Sequence, residues 1–580
     1  MFPRRNRGAR RRLGLLLSTT VGLSQAACSF NDCGTCVQNE ALGASCRWCA
    51  IDSACHVASS PENHCTASME ITSATPGGCA ARLVPEQLHV ALASSGGVDA
   101  AFDGMAVSWS TGLHTEAPAV FWSTAPGVVA GASGVTAVGA ERTSHVLANY
   151  HHHAAITGLP PSTAVYYRVG HNGTAESAEW SFRTAPADPG TASASASADA
   201  SPSFRVSVFG DLAYGAKGNA VASRRRLEAL KDDPVTDYDL VWHLGDIAYA
   251  DDSFLHAEAS FTYEARYNAF MNDLQNVSAT RPYMVLPGNH ESECHSPACL
   301  TSPTFVHALS NFSAYNARWR MPARESGGAG AQMWSSFNYG LAHFVSWNSE
   351  TDFPNAAEEK HGDTGILPAG GFAPDGELLR WLEADLAAAD ANRAARPWIL
   401  VGSHRQLYLP PGGVSNPEVV AAVEELFKKY KVDAHFSGHE HNYGRTYPMY
   451  QGERSSNDTA ALFVDPATPF YVVAGGAGCD EGLDDTVVVD SQHSTTIDPA
   501  NPGLEFASAR TRRAVAGDDG AGGEKKQKPT PKDWAAFIDT TNYGTGILTV
   551  TNRTHLRWDY ISSATGEVLD TFTVVQHAHA

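Results

Sequence analysis

The sequence predicts a multidomain chain built from a small disulfide-rich module, an all-β sandwich and a layered α/β domain. Three observations predict it. At 580 residues the chain is too long for one core, since single hydrophobic cores stop growing near roughly 250–300 residues. Eight of its eleven cysteines crowd between positions 28 and 79, the density of a module stapled by bridges. After residue 203, apolar strand runs alternate with helical patterns, as layered α/β folds require. The composition, 43% hydrophobic and 18% charged, excludes a mostly disordered chain. The formal net charge of −21 argues against nucleic acid as a partner, because neutralising phosphates needs surplus Lys and Arg.

Residues 1–26 carry six arginines, no acid, an apolar stretch Leu13–Leu23, and small Ser24 and Ala26 at the −3 and −1 positions. This is the pattern of a secretory signal peptide. The apolar run is shorter than the roughly 20 residues a membrane span needs, and no other segment is long and apolar enough, so no transmembrane segment is expected. A lipoprotein anchor at Cys28 is the weaker alternative, because Gln25 sits where an aliphatic residue would be wanted. Removing the segment takes the formal charge from −21 to −27. The expected location is secreted: extracellular, or the lumen of the secretory pathway.

Residues 27–80 hold Cys28, Cys33, Cys36, Cys46, Cys49, Cys55, Cys65 and Cys79. An even, dense set in a secreted stretch reads as a disulfide framework whose pairing the spacing leaves open. The C-x-x-C pairs 33/36 and 46/49 could instead hold zinc, but an oxidising compartment favours bridges. Cys294 and Cys299 are spaced for a further local bridge, leaving Cys479 free or intermolecular. Five N-x-S/T sequons, at Asn172, Asn276, Asn311, Asn457 and Asn552, predict glycosylation.

Residues 84–185 contain short alternating runs, Leu88–Leu92, Met105–Trp109, Val120–Trp122 and Ala164–Val169, separated by Gly, Pro and Ser. They predict an antiparallel sandwich. His151, His152 and His153 invite a metal reading, but successive strand residues point to opposite faces, so a structural or surface role is expected. The Ala/Ser-rich stretch 186–203 has no apolar face and reads as a linker. The block 204–577 contains strands at Phe204–Phe209, Asp239–Leu244, Tyr283–Leu286, Trp398–Val401, Val432–Phe436 and Phe470–Val473. Its predicted helices include Gly376–Asn392, with Leu378, Leu379, Leu382 and Leu386 at helical spacing, and a second from Asn416-Pro417 to Tyr430. Residues 507–532 are polar and Gly-rich, a low-complexity insertion.

Five of those strands end in polar residues of one chemical kind. They lead into Gly210-Asp211-Leu212-Ala213-Tyr214, Gly245-Asp246-Ile247-Ala248-Tyr249, Gly288-Asn289-His290-Glu291, Gly402-Ser403-His404 and Gly438-His439-Glu440-His441. Ligand sites of α/β sheets lie at the carboxyl ends of strands. Asp, Asn and His are oxygen and nitrogen donors for hard-to-borderline metals. One such end is ordinary turn chemistry. Five together point to two clustered ions, which clamp a transferring phosphoryl group when roughly 3.5–4 Å apart.

These five blocks, in this order, resemble the motifs of the metallophosphoesterases. Tyr249, three residues after Asp246, narrows the resemblance to the purple acid phosphatases. The resemblance implies a fibronectin-III-like N-terminal domain over 84–185 and a metallophosphoesterase domain, layered α/β/β/α, over 204–577. It implies an iron(III) ion, Fe(3+), held by Asp211, Tyr249 and His441, with Asp246 bridging to a divalent ion (zinc, iron or manganese) held by Asn289, His404 and His439. It gives His290 the task of orienting the ester and protonating the leaving oxygen, and it implies a visible tyrosinate-to-iron(III) charge transfer. Two departures stand out. Ala213 replaces the family's glycine in the first motif, which leaves the ligand in place. The stretch Arg405-Gln406-Leu407-Tyr408-Leu409-Pro410 lacks the histidine pair of plant members and looks more like animal and protist ones. Separately, the N-terminal cysteine spacing with Cys46-Arg47-Trp48-Cys49 resembles a plexin–semaphorin–integrin (PSI) module.

Metal coordination lowers the pKa of bound water and yields hydroxide at mild pH. That hydroxide is the expected nucleophile, attacking phosphorus in line, with the metals and His290 stabilising the oxygens that gain charge. The expected function is a secreted acid phosphatase acting on small phosphate monoesters. Diesters, phytate or nucleotides at the same site are the alternatives within the enzyme reading. A non-catalytic surface or adhesion protein is the alternative outside it, and the seven intact donors argue against that. A homodimer is compatible with the sequence.

Overall fold

The computed structural model describes residues 28–577 except 42, 44, 61–62, 64, 66–69, 97–101, 129–135, 140–141, 172–174, 190–202, 216–218, 252–261, 292–301, 329–331, 351–375, 412, 415–416 and 485–531. The expected signal segment, most of the linker, nearly all of the 507–532 insertion, Cys294, Cys299 and Asn172 lie outside the described residues.

The N-terminal cysteines pair as Cys28–Cys46, Cys33–Cys79, Cys36–Cys55 and Cys49–Cys65. Each C-x-x-C pair is split between two bridges, so neither is a zinc site. The bridges close loops of 16 to 46 residues, each stabilising by about 3–4 kcal/mol on the chain-entropy account. They surround a small three-stranded sheet of Cys46–Cys49, Ala54–Val57 and Glu70–Ile71 that could not bury enough apolar surface alone. Cys479 is the free cysteine among the described residues, and it is buried, which removes the intermolecular reading for the folded chain.

Two antiparallel sheets follow. One joins Glu86–Ala93, Gly104–Thr111, Asn149–Ile156 and Arg142–Val146. The other joins Ala175–Glu176, Ala164–His171, Pro118–Ser123 and Thr136–Gly139, with Trp180–Arg183 also on Ala164–His171. The histidine trio sits in Asn149–Ile156 with all three side chains buried. The structural role holds and the surface role falls, because both faces of this strand are covered. His153 bonds Ser108 Oγ (2.8 Å) and the Ala317 carbonyl (2.9 Å), and His152 bonds Thr111 Oγ1 (2.8 Å). Helix Tyr263–Ser278 lies against the edge strand Glu86–Ala93. There Asn272 Oδ1 and Gln275 Oε1 accept the N–H groups of Gln87 and Leu88 at 3.1 and 2.9 Å. At this seam the buried Arg318 guanidinium donates to both Glu264 oxygens (2.9 Å each) and to Gln87 Oε1 (2.9 Å).

The remaining chain forms two seven-stranded sheets. In the first, β1 (Phe204–Phe209), β2 (Leu240–His243) and β3 (Tyr283–Val285) run parallel. In the second, β4 (Trp398–Gly402), β5 (Ala434–Ser437) and β6 (Phe470–Ala474) run parallel. Trp242 of β2 packs edge-on against Phe344 and Phe436 of the second sheet, at 5.4 and 5.9 Å. The sheets therefore face each other over one aromatic core. Helix Glu377–Ala391 buries Leu378, Leu382 and Leu386, the stripe its spacing predicts, and the next begins at Pro417. Of the described sequons, Asn311 and Asn457 are exposed, while Asn276 Nδ2 donates to Glu228 at 2.8 Å.

Candidate metal centre

The loops after β1 to β5 meet at one point. Sharp turns put them there: Asp211, Asp246, Ala248, Tyr249 and His439 all have φ between 50° and 73°. Non-glycine residues avoid this region, and its use clusters at functional sites. Glycines admit the close approach. A Cβ on Gly288 would lie 2.2 Å from Asp246 Oδ1, and one on Gly438 would lie 2.4 Å from Asp211 Oδ2.

Two triads of donor atoms result, Asp211/Asp246/His441 and Asp246/His404/His439, each within 4.8 Å and sharing Asp246. Tyr249 Oη joins the first triad, 3.1 Å from Asp211, 3.3 Å from Asp246 and 2.9 Å from His441 Nε2. Asn289 Oδ1 joins the second, 3.0 Å from both His404 Nε2 and His439 Nδ1. The structure thus brings together all seven donors expected from the sequence. His404 Nδ1 is tied to the Leu244 carbonyl at 2.8 Å, which turns Nε2 toward the centre.

The electrostatics fit cations. Burial, then Asp211 and Asp246, push the Tyr249 phenol well above its ordinary value. A phenol pressed between two carboxylates cannot ionise readily, and a seated metal ion reverses that logic. Burial would also raise Asp246, but His404 and then His290 outweigh it and hold the carboxyl well below the usual range. The donor set of oxygens and imidazoles, shared through one carboxylate, fits a pair of hard or borderline ions.

His290 sits beside the triads. Its backbone N–H donates to Asp246 Oδ1 at 3.0 Å, its Nε2 is 3.9 Å from Asp246 Oδ2, and its ring lies 4.2 Å from that of Tyr249. Its Nδ1 is 3.0 and 3.1 Å from the two oxygens of buried Asp251. Asp251 is not among the residues expected from the sequence, although it follows the Gly-Asp-x-x-Tyr block by two residues. Nor did the sequence assign a role to Glu291. That buried carboxylate accepts the N–H groups of Asp246 (3.0 Å), Ile247 (2.9 Å) and Gly288 (2.8 Å), clamping two ligand loops together. Burial, then Asp246, push it up to about 8.

Residues 204–443 match the calcineurin-like phosphoesterase model, residues 85–184 the purple acid phosphatase N-terminal domain, and residues 516–571 the iron/zinc purple acid phosphatase-like protein C model. Acid phosphatase A of Cryphonectria parasitica is 31% identical over 465 residues, covering 72% of this chain and 79% of that one. An acid phosphatase of Aspergillus ficuum is 29% identical over 523 residues, covering 74% and 76%. Purple acid phosphatase PPD1 from yellow lupin seeds superposes with a TM-score of 0.61 at 20% identity, covering 86% of this chain and 75% of that one, a likeness of fold.

Proposed function

The chain belongs to the purple acid phosphatase family and is a metal-dependent phosphatase, and on that premise we propose that it hydrolyses small phosphate monoesters in acid at a dinuclear iron(III)–divalent centre. The observation that carries the reading is the pair of donor triads sharing Asp246. Asp211, Tyr249 and His441 would hold iron(III), Asn289, His404 and His439 a divalent ion, and Asp246 both. When bound, the ions supply Lewis acidity to phosphoryl oxygens and make water acidic enough to serve as the nucleophile.

The protein's own groups do the rest. Asp251 fixes His290 through Nδ1, leaving Nε2 as the atom that holds a proton for the departing alkoxide. Glu291 keeps the Asp246 and Asn289 loops in register through three backbone N–H groups. The Leu244 carbonyl holds His404 in the tautomer a ligand needs, as outer partners of ligating histidines commonly do. Four bridges suit an oxidising compartment, in keeping with a place in the secretory pathway or outside the cell. Among the described residues no helix is long and apolar enough to cross a membrane.

The test is Asp246→Asn with metal analysis and a panel of monoesters, diesters and phytate. Wild type is expected to prefer monoesters, and the variant to lose metal and nearly all activity together. Retention of both in the variant would overturn the assignment of Asp246 as the shared ligand.

A further inference from the structure

The histidines on the two sides of the centre are backed by opposite charges. Behind His441 lie carboxylates. Glu481 Oε2 is 3.6 Å from His441 Nδ1, and Asp484 Oδ2 accepts the His441 backbone N–H at 2.8 Å while its own N–H donates to the His441 carbonyl at 3.2 Å. Behind His439 lies a guanidinium. Arg405 Nη1 is 2.9 Å from His439 Nε2, across the ring from the Nδ1 that faces Asn289. His404 Nδ1, the nitrogen turned away from the centre, meets neither outer charge but the Leu244 carbonyl.

Arg405 is held in place. Its Nε donates to both Glu350 oxygens at 3.1 and 3.0 Å, and its backbone N–H donates to Ser349 Oγ at 2.9 Å. Ser349 Oγ in turn donates to Glu350 Oε1 at 3.1 Å, and Glu350 is wholly buried. The pair is neutral as a whole, but its positive end sits on His439. Ligation through Nδ1 requires the His439 proton on Nε2, facing the guanidinium with no acceptor between them; an anion beyond an imidazole strengthens it as a donor and a cation weakens it. The inner donors lean the same way. The His441 side adds a carboxylate and a phenol, Asp211 and Tyr249, whereas the His439 side adds the neutral amide of Asn289. By Coulomb's law, the more highly charged ion gains more from the anionic side.

We propose that these outer charges set the valence of the two ions. Glu481 and Asp484 favour the higher charge beside His441, and the Arg405–Glu350 pair keeps the ion beside His439 divalent. Glu481 and Arg405 act through a histidine ring, Glu350 through Arg405 and Asp484 through the His441 main chain, and all four are positioning residues. The inference rests on the metal-centre reading above.

The test uses the full chain loaded with iron alone, with redox titration followed by visible absorption and electron paramagnetic resonance, and iron per chain measured in every variant. Glu481→Gln should raise the midpoint of the iron beside His441 by at least a tenfold change in the ferric-to-ferrous ratio, about 59 mV for a one-electron couple. Arg405→Gln leaves Glu350 uncompensated and should lower the other midpoint by at least as much. Arg405→Lys, which keeps the charge, should stay near wild type, and Glu350→Gln should move that midpoint upward. If Arg405→Gln does not fold, Glu481→Gln and Glu350→Gln still decide. Two irons bound with unmoved midpoints would overturn the inference and leave the metal-centre reading standing. A wild-type chain that takes up no iron would overturn the metal-centre reading itself.

Discussion

Replacing Asp251→Asn isolates the proton-handling half of the site. The change keeps the side chain's shape in a pocket where Asp251 is only 3% exposed. It removes the charge that meets His290 Nδ1 at 3.0 and 3.1 Å. A hydrogen bond between charged partners contributes roughly 1.5–3 kcal/mol, so protonated His290 loses that much support, a factor of about 10–150 in rate if the proton is needed in the transition state. The whole effect of a general acid is about 100- to 10,000-fold, so Asp251→Asn should cost less than His290→Ala. The assay compares an alkyl phosphate with nitrophenyl phosphate, whose leaving group needs little protonation, and measures metal content alongside. The alkyl ester should slow by the full factor and the nitrophenyl ester far less, with metal retained. The alkaline limb of the alkyl rate profile should move to lower pH, since the neutral amide no longer favours the charged imidazole. Equal slowing of both esters, or loss of metal, would refute a leaving-group role for the Asp251–His290 pair.

Three further outcomes are expected. Arg318→Met strands the buried Glu264 carboxylate at the sandwich seam and should lower stability by about 3–5 kcal/mol, measured by urea unfolding; a loss under about 1 kcal/mol would show that water replaces the guanidinium. Burial lowers His89 and His152 to about 4, below the roughly 6.5 of an unfolded chain, so the unfolded state binds more protons and stability falls as pH drops from about 6.5 to 4. Each group contributes up to about 3 kcal/mol of that loss, and His89→Gln should flatten the slope of unfolding free energy against pH, where an unchanged slope would remove His89 from the account. Thiol titration of denatured, unreduced protein should find the eight N-terminal cysteines unreactive; eight reactive thiols there would contradict the bridges.

The donors were legible because each is local to its strand end. A glycine with Asp, Asn or His after an apolar run carries its meaning in a few residues, and the two-layer core follows from the same runs. Contacts that depend on tertiary packing were not legible. Glu350 meets Arg405 across 55 residues of sequence, and neither residue alone signals a partner. Disulfide pairing was closed to reading for a different reason, since eight cysteines allow 105 pairings and the module's path selects one. The histidine trio misled in part because strand alternation puts one face outward only when nothing covers it, and here Ala317 reaches across to His153. Asp251 was closed for the same reason as Glu350, since it meets His290 across 39 residues of sequence.

One comparison decides whether the chain holds a dinuclear centre with a tyrosinate ligand. Wild type and Tyr249→Phe are purified in full length, and metal per chain is measured together with the visible spectrum. Two metal ions per wild-type chain are expected, with a charge-transfer band that disappears in Tyr249→Phe while the fold is kept. A wild-type chain loaded with iron yet colourless, or a band that survives loss of the phenol, would contradict a tyrosinate ligand.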